Sequence, residues 1–225
     1  MTEYRDIPDI LDAGAAEPPP APGGVRGPGS PSPTRADLRR QRTRALAASA
    51  GWFGVQVFAF GVRPDLRELP ASYVLALIVA PFVAGLLAVA ASLHPGRLGL
   101  GLRTPLIVGL ALLAPAAFIA TGLLTPSPGA GPEAERLSGF FCLNVTIAWA
   151  LLPTVCAALV LRRAFATGAV FRSALLGAGI GLVATALFAL QCPFTGRLHV
   201  ALAHGGAVAL VALGGGLLLA RATRI

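Results

Sequence analysis

Apolar residues arrive along this chain in six long blocks, at about 45–61, 71–93, 104–124, 140–161, 173–190 and 198–220. A helix that crosses a bilayer needs roughly 20 residues at about 1.5 Å of rise each. The first and fifth blocks are short against that length, and the other four meet it. The blocks are apolar on nearly every side, so periodicity does not single out a buried face. The pattern predicts an all-α, polytopic integral membrane protein with a six-helix transmembrane bundle over residues 45–225. Residues 1–44 read as a separate cytoplasmic tail, placed ahead of the first block, which therefore reads as a span and not as a signal-peptide core.

The tail has three parts. Residues 1–17 are acidic, with Glu3, Asp6, Asp9, Asp12 and Glu17 against a lone Arg5. Ile7, Ile10 and Leu11 lie among them at i, i+3 and i+4, one face of a helix that Pro8 would have to open. Residues 18–33 hold seven prolines and four glycines, a composition that cannot build a core and predicts an extended or disordered spacer. Thr34 with Asp37 forms a capping-box-like start for a helix, and Arg35, Arg39, Arg40, Arg42 and Arg44 make a basic collar before the first span.

Composition narrows the class. Of the 225 residues, 55% are hydrophobic and 12% charged, against roughly 25% charged in an ordinary soluble domain. Mean hydropathy is +0.74. These values exclude a soluble globular enzyme as the leading reading. All 18 basic residues are arginine, the formal net charge is +8 and the sequence pI is about 11.1. Such a pI in a soluble domain points to nucleic acid. Here the arginines flank apolar blocks, so they read as topology signals, with the bilayer as partner and no direct nucleic acid.

The positive-inside rule then sets an orientation. With the tail in the cytoplasm, the five collar arginines join Arg97, Arg103, Arg162, Arg163, Arg172, Arg221 and Arg224 inside, twelve in all. Arg63, Arg67, Arg136 and Arg197 face outside, four in all. The bias predicts a multi-pass membrane protein with both termini cytoplasmic, and the absence of lysine with the wealth of Ala, Gly, Pro and Arg points to a GC-rich bacterial genome, hence a bacterial inner membrane.

The six blocks contain no Asp, Glu, Lys or Arg. Buried ionisable groups mark proton relays and ion paths, so their absence argues against a pump or a proton-coupled transporter. Pro81, Pro115 and Pro153 read as kinks whose freed carbonyls are satisfied by packing. Gly177, Gly179 and Gly181 lack a preceding strand and so do not form a phosphate loop. Gly177 and Gly181 instead offer a small-residue face, as do Gly205, Gly206 and Gly214 to Gly216. Gln56, Asn144 and Thr185 are candidates for hydrogen bonds between helices.

The three cysteines carry more information. Cys142 lies at the outer end of the fourth block and Cys192 at the outer end of the fifth, so they share a membrane level. Cys156 is fourteen residues beyond Cys142, roughly 21 Å down the same helix, and cannot pair with it. His199 begins the sixth block on the same outer side. Cys142, Cys192 and His199 together suit oxidant sensing or a soft metal; simple apolar packing of buried cysteine is the bland alternative. His204 follows His199 by five residues, about 140° around an α-helix, so the two are not expected to make one metal face. His204 is expected to be a hydrogen-bonded histidine inside the bundle, and His94 a solvated loop residue. No metal is assigned and no cofactor is expected.

Several segments resemble those of a known family. Gly61-Val62-Arg63-Pro64-Asp65-Leu66 resembles its Gly-x-Arg-Pro-Asp-Leu signature, Phe141-Cys142 its fourth-span cysteine, and Leu190-Gln191-Cys192-Pro193 its Leu-x-Cys-Pro signature. The sixth block, with His204 and a basic end at Arg221, fits as well. The family is the NrsF-type membrane anti-sigma factors: six-span bacterial proteins that hold an extracytoplasmic-function (ECF) sigma factor inactive. The resemblance covers about residues 50–225. It implies that Cys142 and Cys192 are the functional, signal-sensing pair. The Pro-rich tail and the GC-rich style of composition are similar to the myxobacterial anti-sigma factor of the light response.

The expected function is therefore regulatory, not enzymatic. The chain would sequester an ECF sigma factor at the inner membrane and release it on a signal, with Ile7, Ile10 and Leu11 as the partner-binding stripe. Another membrane protein is a further candidate partner, as signal input. The alternative is a small thiol-based redox membrane enzyme or sensor using Cys142 and Cys192; the chain lacks the Cys-x-x-Cys motif such enzymes often carry.

Overall fold

The computed structural model describes residues 35–93, 104–126, 132–161, 169–219 and 221. The acidic and Pro-rich tail, Thr34, His94 and the partner-binding stripe Ile7, Ile10 and Leu11 lie outside the described residues. Six helices run through the described part, and it contains no strand. They are α1, Arg35–Phe60; α2, residues 71–93; α3, Thr104–Leu124; α4, Pro132–Leu161; α5, Ala169–Ala189; and α6, residues 197–219. A short 3-10 turn, Pro64–Arg67, joins α1 to α2.

Five of these helices, α2 to α6, are long and apolar enough to cross a membrane. The polytopic helical class read from the sequence stands. The first block is only the second half of α1. That helix runs unbroken for 26 residues and carries the arginine collar on its first three turns. Two other boundaries move outward. The fourth helix starts at Pro132 and not near 140. The fifth starts at Ala169, which brings Arg172 into its first turn, where it is buried.

The bundle is built around α5. In its spanning segment 78% of positions are buried, against 22% for α2 and for α3. Without a hydrophobic driving force inside lipid, helices associate through close packing of small residues, and α5 supplies these on two sides. A Cβ on Gly177 would collide with the Val211 carbonyl of α6, and one on Gly181 would meet Val208 of the same helix. On the other side, a Cβ on Gly179 would come within 2.8 Å of the Gly85 carbonyl of α2. The sixth helix returns the contact through Gly215, against Ser173 and Gly177, and uses Gly205 against Ile119 of α3. Gly214 differs from the expectation: it faces open space.

The polar residues of the spans divide. Thr185 Oγ1 does cross from α5 to the His204 carbonyl of α6 at 3.4 Å. Asn144 does not cross; its Nδ2 turns back to Phe140 O of its own helix, which is the cheapest partner for an exposed amide in lipid. Gln56 joins through its backbone carbonyl, which accepts from Gln191 Nε2 at 3.3 Å.

Proline explains one link between α1 and α4. Pro153 has no N–H, so it leaves the carbonyl four residues back without its helical donor. That carbonyl belongs to Trp149, and Trp52 Nε1 of α1 donates to it at 3.0 Å. Pro81 of α2 has a different device. A π-turn at Leu75–Val79 precedes it and absorbs the misfit within the helix.

Candidate functional site

Cys142, Cys192, His199 and His204 meet at one end of the bundle, each with at most 3% of its surface exposed. Three elements bring them there. Cys142 lies on α4, Cys192 on the segment after α5, and both histidines on α6. The two sulfurs are 3.7 Å apart and neither is in a disulfide. Cys192 Sγ lies 3.4 Å from His199 Nε2. Cys156 sits well down α4, half-buried and outside this group.

His204 corrects the sequence-based expectation twice. One potential ligand atom from each of the four side chains lies within 4.8 Å of the others, so His204 shares a face with His199 after all. The reason is local. Residues Val200–Gly205 form a π-turn and not an α-turn. Bonds of the i→i+5 type widen the turn, so residues five apart fall on the same face instead of lying about 140° apart. Ring centroids of His199 and His204 are 5.4 Å apart. Nor is His204 fully hydrogen-bonded: its Nδ1, like that of His199, is buried with no hydrogen-bond partner.

An arginine clamp fixes the cysteine segment. Gly61 ends α1 in the left-handed region, φ +73°, which glycine adopts without strain. The chain then turns so that Arg63, extended as the residue before a proline must be, reaches the end of α5. Its backbone N–H donates to Leu190 O at 2.8 Å. Its Nη1 donates to Cys192 O at 2.7 Å, and Nη2 to Pro193 O at 3.3 Å. Asp65, one residue past Pro64, accepts from Nε at 2.6 Å and from Nη2 at 2.5 Å. In the sequence this side chain reads as an outer-face topology residue within the Gly61 to Leu66 signature. It is buried, at 7% exposure, and satisfied by one carboxylate and two carbonyls.

Charge follows this geometry. The hydrogen bond to Arg63 holds the Asp65 carboxyl below its ordinary value, and the same bond raises Arg63. Cys192 is held below the usual thiol value, first by its hydrogen bond with Cys142 and then by those with His199 and His204, while burial opposes the shift. Of the two sulfurs, Cys192 is thereby the one favoured to ionise first, and the thiolate is the form that attacks oxidants and binds metals.

A run of aromatic rings leads to the site. Phe60 of α1 meets Trp149 of α4 at a tilt, Trp149 meets Phe188 of α5 edge to face, and Phe188 meets His204 with ring centroids 5.6 Å apart. Phe194 covers His199 at 5.3 Å. The arrangement is a buried, preorganised group of two thiols and two imidazoles, with no carboxylate among them. It can undergo dithiol oxidation or coordinate a soft cation, and it offers nothing to a hard one.

Sequence reasoning placed the cysteines and His199 together. It missed His204 because a π-turn leaves no clear mark in apolar sequence. It missed the clamp because Arg63 was read from its neighbourhood and not from its reach. The two signatures Gly61 to Leu66 and Leu190 to Pro193 were the available signal, since each is the other's hydrogen-bonding partner.

A six-helix membrane bundle with a buried thiol cluster at one end is the frame on which the comparisons fall. Residues 29–224 match the family model NrsF, described as negative regulator of sigma F. The chain belongs to that family. No curated protein matches it, and no solved structure does. Membership gives the coarse function, negative regulation of a sigma factor, and the family is one of regulators and not of known enzymes.

Proposed function

We propose that this protein is a membrane-bound anti-sigma factor that holds an ECF-type sigma factor at the cytoplasmic face of the bacterial inner membrane and releases it when the chemistry at Cys142 and Cys192 changes. The observation that carries the reading is the buried cysteine pair, 3.7 Å apart and tied through the Cys192 carbonyl to Arg63. Such a pair has no packing need for a clamp that joins the ends of α1 and α5. With that clamp, a change at the sulfurs bears directly on the packing of two helices. One of them, α1, carries the arginine collar at its far end, beside the tail.

The twelve-to-four arginine bias supports a cytoplasmic collar and an outward-facing cysteine cluster. The tail is the longest cytoplasmic segment in that orientation. Its Ile7, Ile10 and Leu11 stripe, set among aspartates, suits a basic partner surface by folding on contact. The collar itself suits anionic lipid.

The test is retention of the co-encoded sigma factor by the full-length protein in detergent or nanodiscs. The wild type retains the sigma factor under reducing conditions. Ile10→Asp with Leu11→Asp lowers retention at least tenfold while the bundle stays monodisperse. Retention by neither form would remove the anti-sigma reading. Equal retention by both would move the contact to the cytoplasmic loops.

A further inference from the structure

We propose that Cys142, Cys192, His199 and His204 form a four-coordinate site for one divalent, thiophilic cation of the Zn2+ type. The inference deepens the function proposed above, and rests on it only for what the site controls.

Two of the donor pairs stand at the spacing of a coordination tetrahedron. With metal–sulfur bonds of about 2.3 Å and metal–nitrogen bonds of about 2.0–2.1 Å, tetrahedral angles put two sulfurs about 3.8 Å apart and a sulfur about 3.6 Å from a nitrogen. The pair Cys142 and Cys192 stands at 3.7 Å, and Cys192 stands 3.4 Å from His199 Nε2. All four donor atoms lie within 4.8 Å of one another. The two shortest pairs already stand at tetrahedral spacing, and the remaining donors close the set by drawing in by up to about 1 Å.

The histidines point the same way. Both are buried to at least 97%, and the Nδ1 of each lacks a hydrogen-bond partner. Leaving an imidazole nitrogen unpaired in an apolar interior is costly, and a cation offsets that cost where the orphaned Nδ1 is itself the ligand. The π-turn at Val200–Gly205 is the structural device that adds the fourth ligand, since an α-helical turn would carry His204 off the face. Three donors would leave an open position; four make a closed site of the structural or sensory kind.

Charge selects the cation's valence. Binding follows M2+ + 2 Cys–SH → M(S–Cys)2 + 2 H+, with each neutral imidazole giving a lone pair and the two protons leaving to water. Two thiolates and a divalent ion sum to zero. A monovalent ion on the same ligands leaves one uncompensated negative charge in a group buried at the edge of a bilayer, where unpaired charge is expensive. Arg63 does not cancel it, because Asp65 already neutralises that guanidinium. Absence of a carboxylate among the four donors excludes Ca2+ and Mg2+. Cation and disulfide are mutually exclusive at this site, since both use the same two sulfurs.

The test uses the full-length reduced protein in nanodiscs under anaerobic conditions, titrated with Co2+ as an optical probe and then with Zn2+. One equivalent of Co2+ is expected to give tetrahedral d–d bands with thiolate-to-cobalt charge transfer, both lost on adding Zn2+. Cys142→Ser, Cys192→Ser, His199→Gln and His204→Gln each weaken Zn2+ binding at least tenfold, and Cys156→Ser leaves it unchanged. An octahedral cobalt spectrum in the wild type overturns the proposal even if every variant misfolds. So does wild-type affinity in His204→Gln. Sigma-factor retention, read on the same samples without metal, separates the two claims: a tetrahedral cobalt site in a protein that retains no sigma factor leaves this inference standing and removes the function, and the reverse result does the opposite.

Discussion

Arg63 Nη1 donates to the backbone carbonyl of Cys192 at 2.7 Å, across 129 residues of chain. The bond targets backbone, so it fixes the position of Cys192 without touching its sulfur. It also unites the two signature segments, which sequence alone presents as unrelated loops. A guanidinium is suited to the task because its planar fork serves a carboxylate and carbonyls at the same time.

Replacing Arg63 therefore tests the clamp. Arg63→Ala leaves the Cys192 and Pro193 carbonyls without this donor and frees Asp65, and a buried hydrogen bond to a charged group contributes about 1.5–3 kcal/mol. Thermal unfolding in detergent should fall accordingly, and maleimide labelling of Cys192 should speed up. Arg63→Lys keeps the charge but not the fork, so it should lie between wild type and Arg63→Ala. Unchanged labelling and unfolding in Arg63→Ala would show that the clamp does not hold the site.

Acid should weaken the same clamp. Asp65 is held below its ordinary value by Arg63, so its contribution is full above that ordinary value, near 3.8. It is lost as pH falls through the lower, folded-state value. Arg63 stays protonated throughout. Asp65 is 45% exposed, and solvent screens the pair, so the effect is modest. The expected result is an acid limb in unfolding below about pH 4 that Asp65→Asn flattens. An identical limb in the variant would assign it to other carboxylates.

Trp52 and Pro153 give a cycle with a definite sign. Trp52→Phe orphans the Trp149 carbonyl, and an interhelical hydrogen bond in a bilayer protein is worth about 0.6 kcal/mol and at most about 1.7. Pro153→Ala restores a donor to that carbonyl within α4. Trp52→Phe should therefore cost less in the Pro153→Ala background than in the wild type, measured as a double-mutant cycle on unfolding. Additive effects would mean that the proline and the indole act independently.

The sequence carried the helical membrane class, and for a clear physical reason: the bilayer demands long apolar blocks, and these are visible without any tertiary information. It carried Gly177 and Gly181 as a packing face for a related reason, since small residues are what lipid-embedded helices need at contact. It did not carry α5 as the centre, because helices apolar all round show no inward stripe. It placed Cys142, Cys192 and His199 at one level because each sits at the outer end of an apolar block. His204 escaped because the rotation counted between it and His199 assumed α-helical turns, and one π-turn changes the phase. Arg63 escaped because a long side chain reaches a neighbouring element that linear spacing does not reveal.

Orientation is the next expectation to measure. Twelve arginines on the proposed inner side against four outside predict cytoplasmic signals from reporter fusions at 98, 166 and 225, and extracytoplasmic signals from fusions at 67, 133 and 196. A C-terminal fusion that reports the outside would break the six-span topology. It would also put the cysteine cluster on the wrong face for an external signal.

The cysteines themselves give the most direct functional prediction. Cys142 and Cys192 touch each other and share one environment, whereas Cys156 lies apart on α4. Groups that work as one unit lose the same function whichever member is removed, so their effects do not add. Cys142→Ser and Cys192→Ser should each alter signal-dependent induction of a sigma-factor reporter, by at least several-fold. The double variant should match either single one. Cys156→Ser should behave as wild type. Serine keeps the size of cysteine but not its soft, ionisable sulfur, so the bundle should survive the change, which a matched unfolding curve would verify. Normal induction in both single variants would detach the cysteine pair from sensing, whatever its chemistry in isolation.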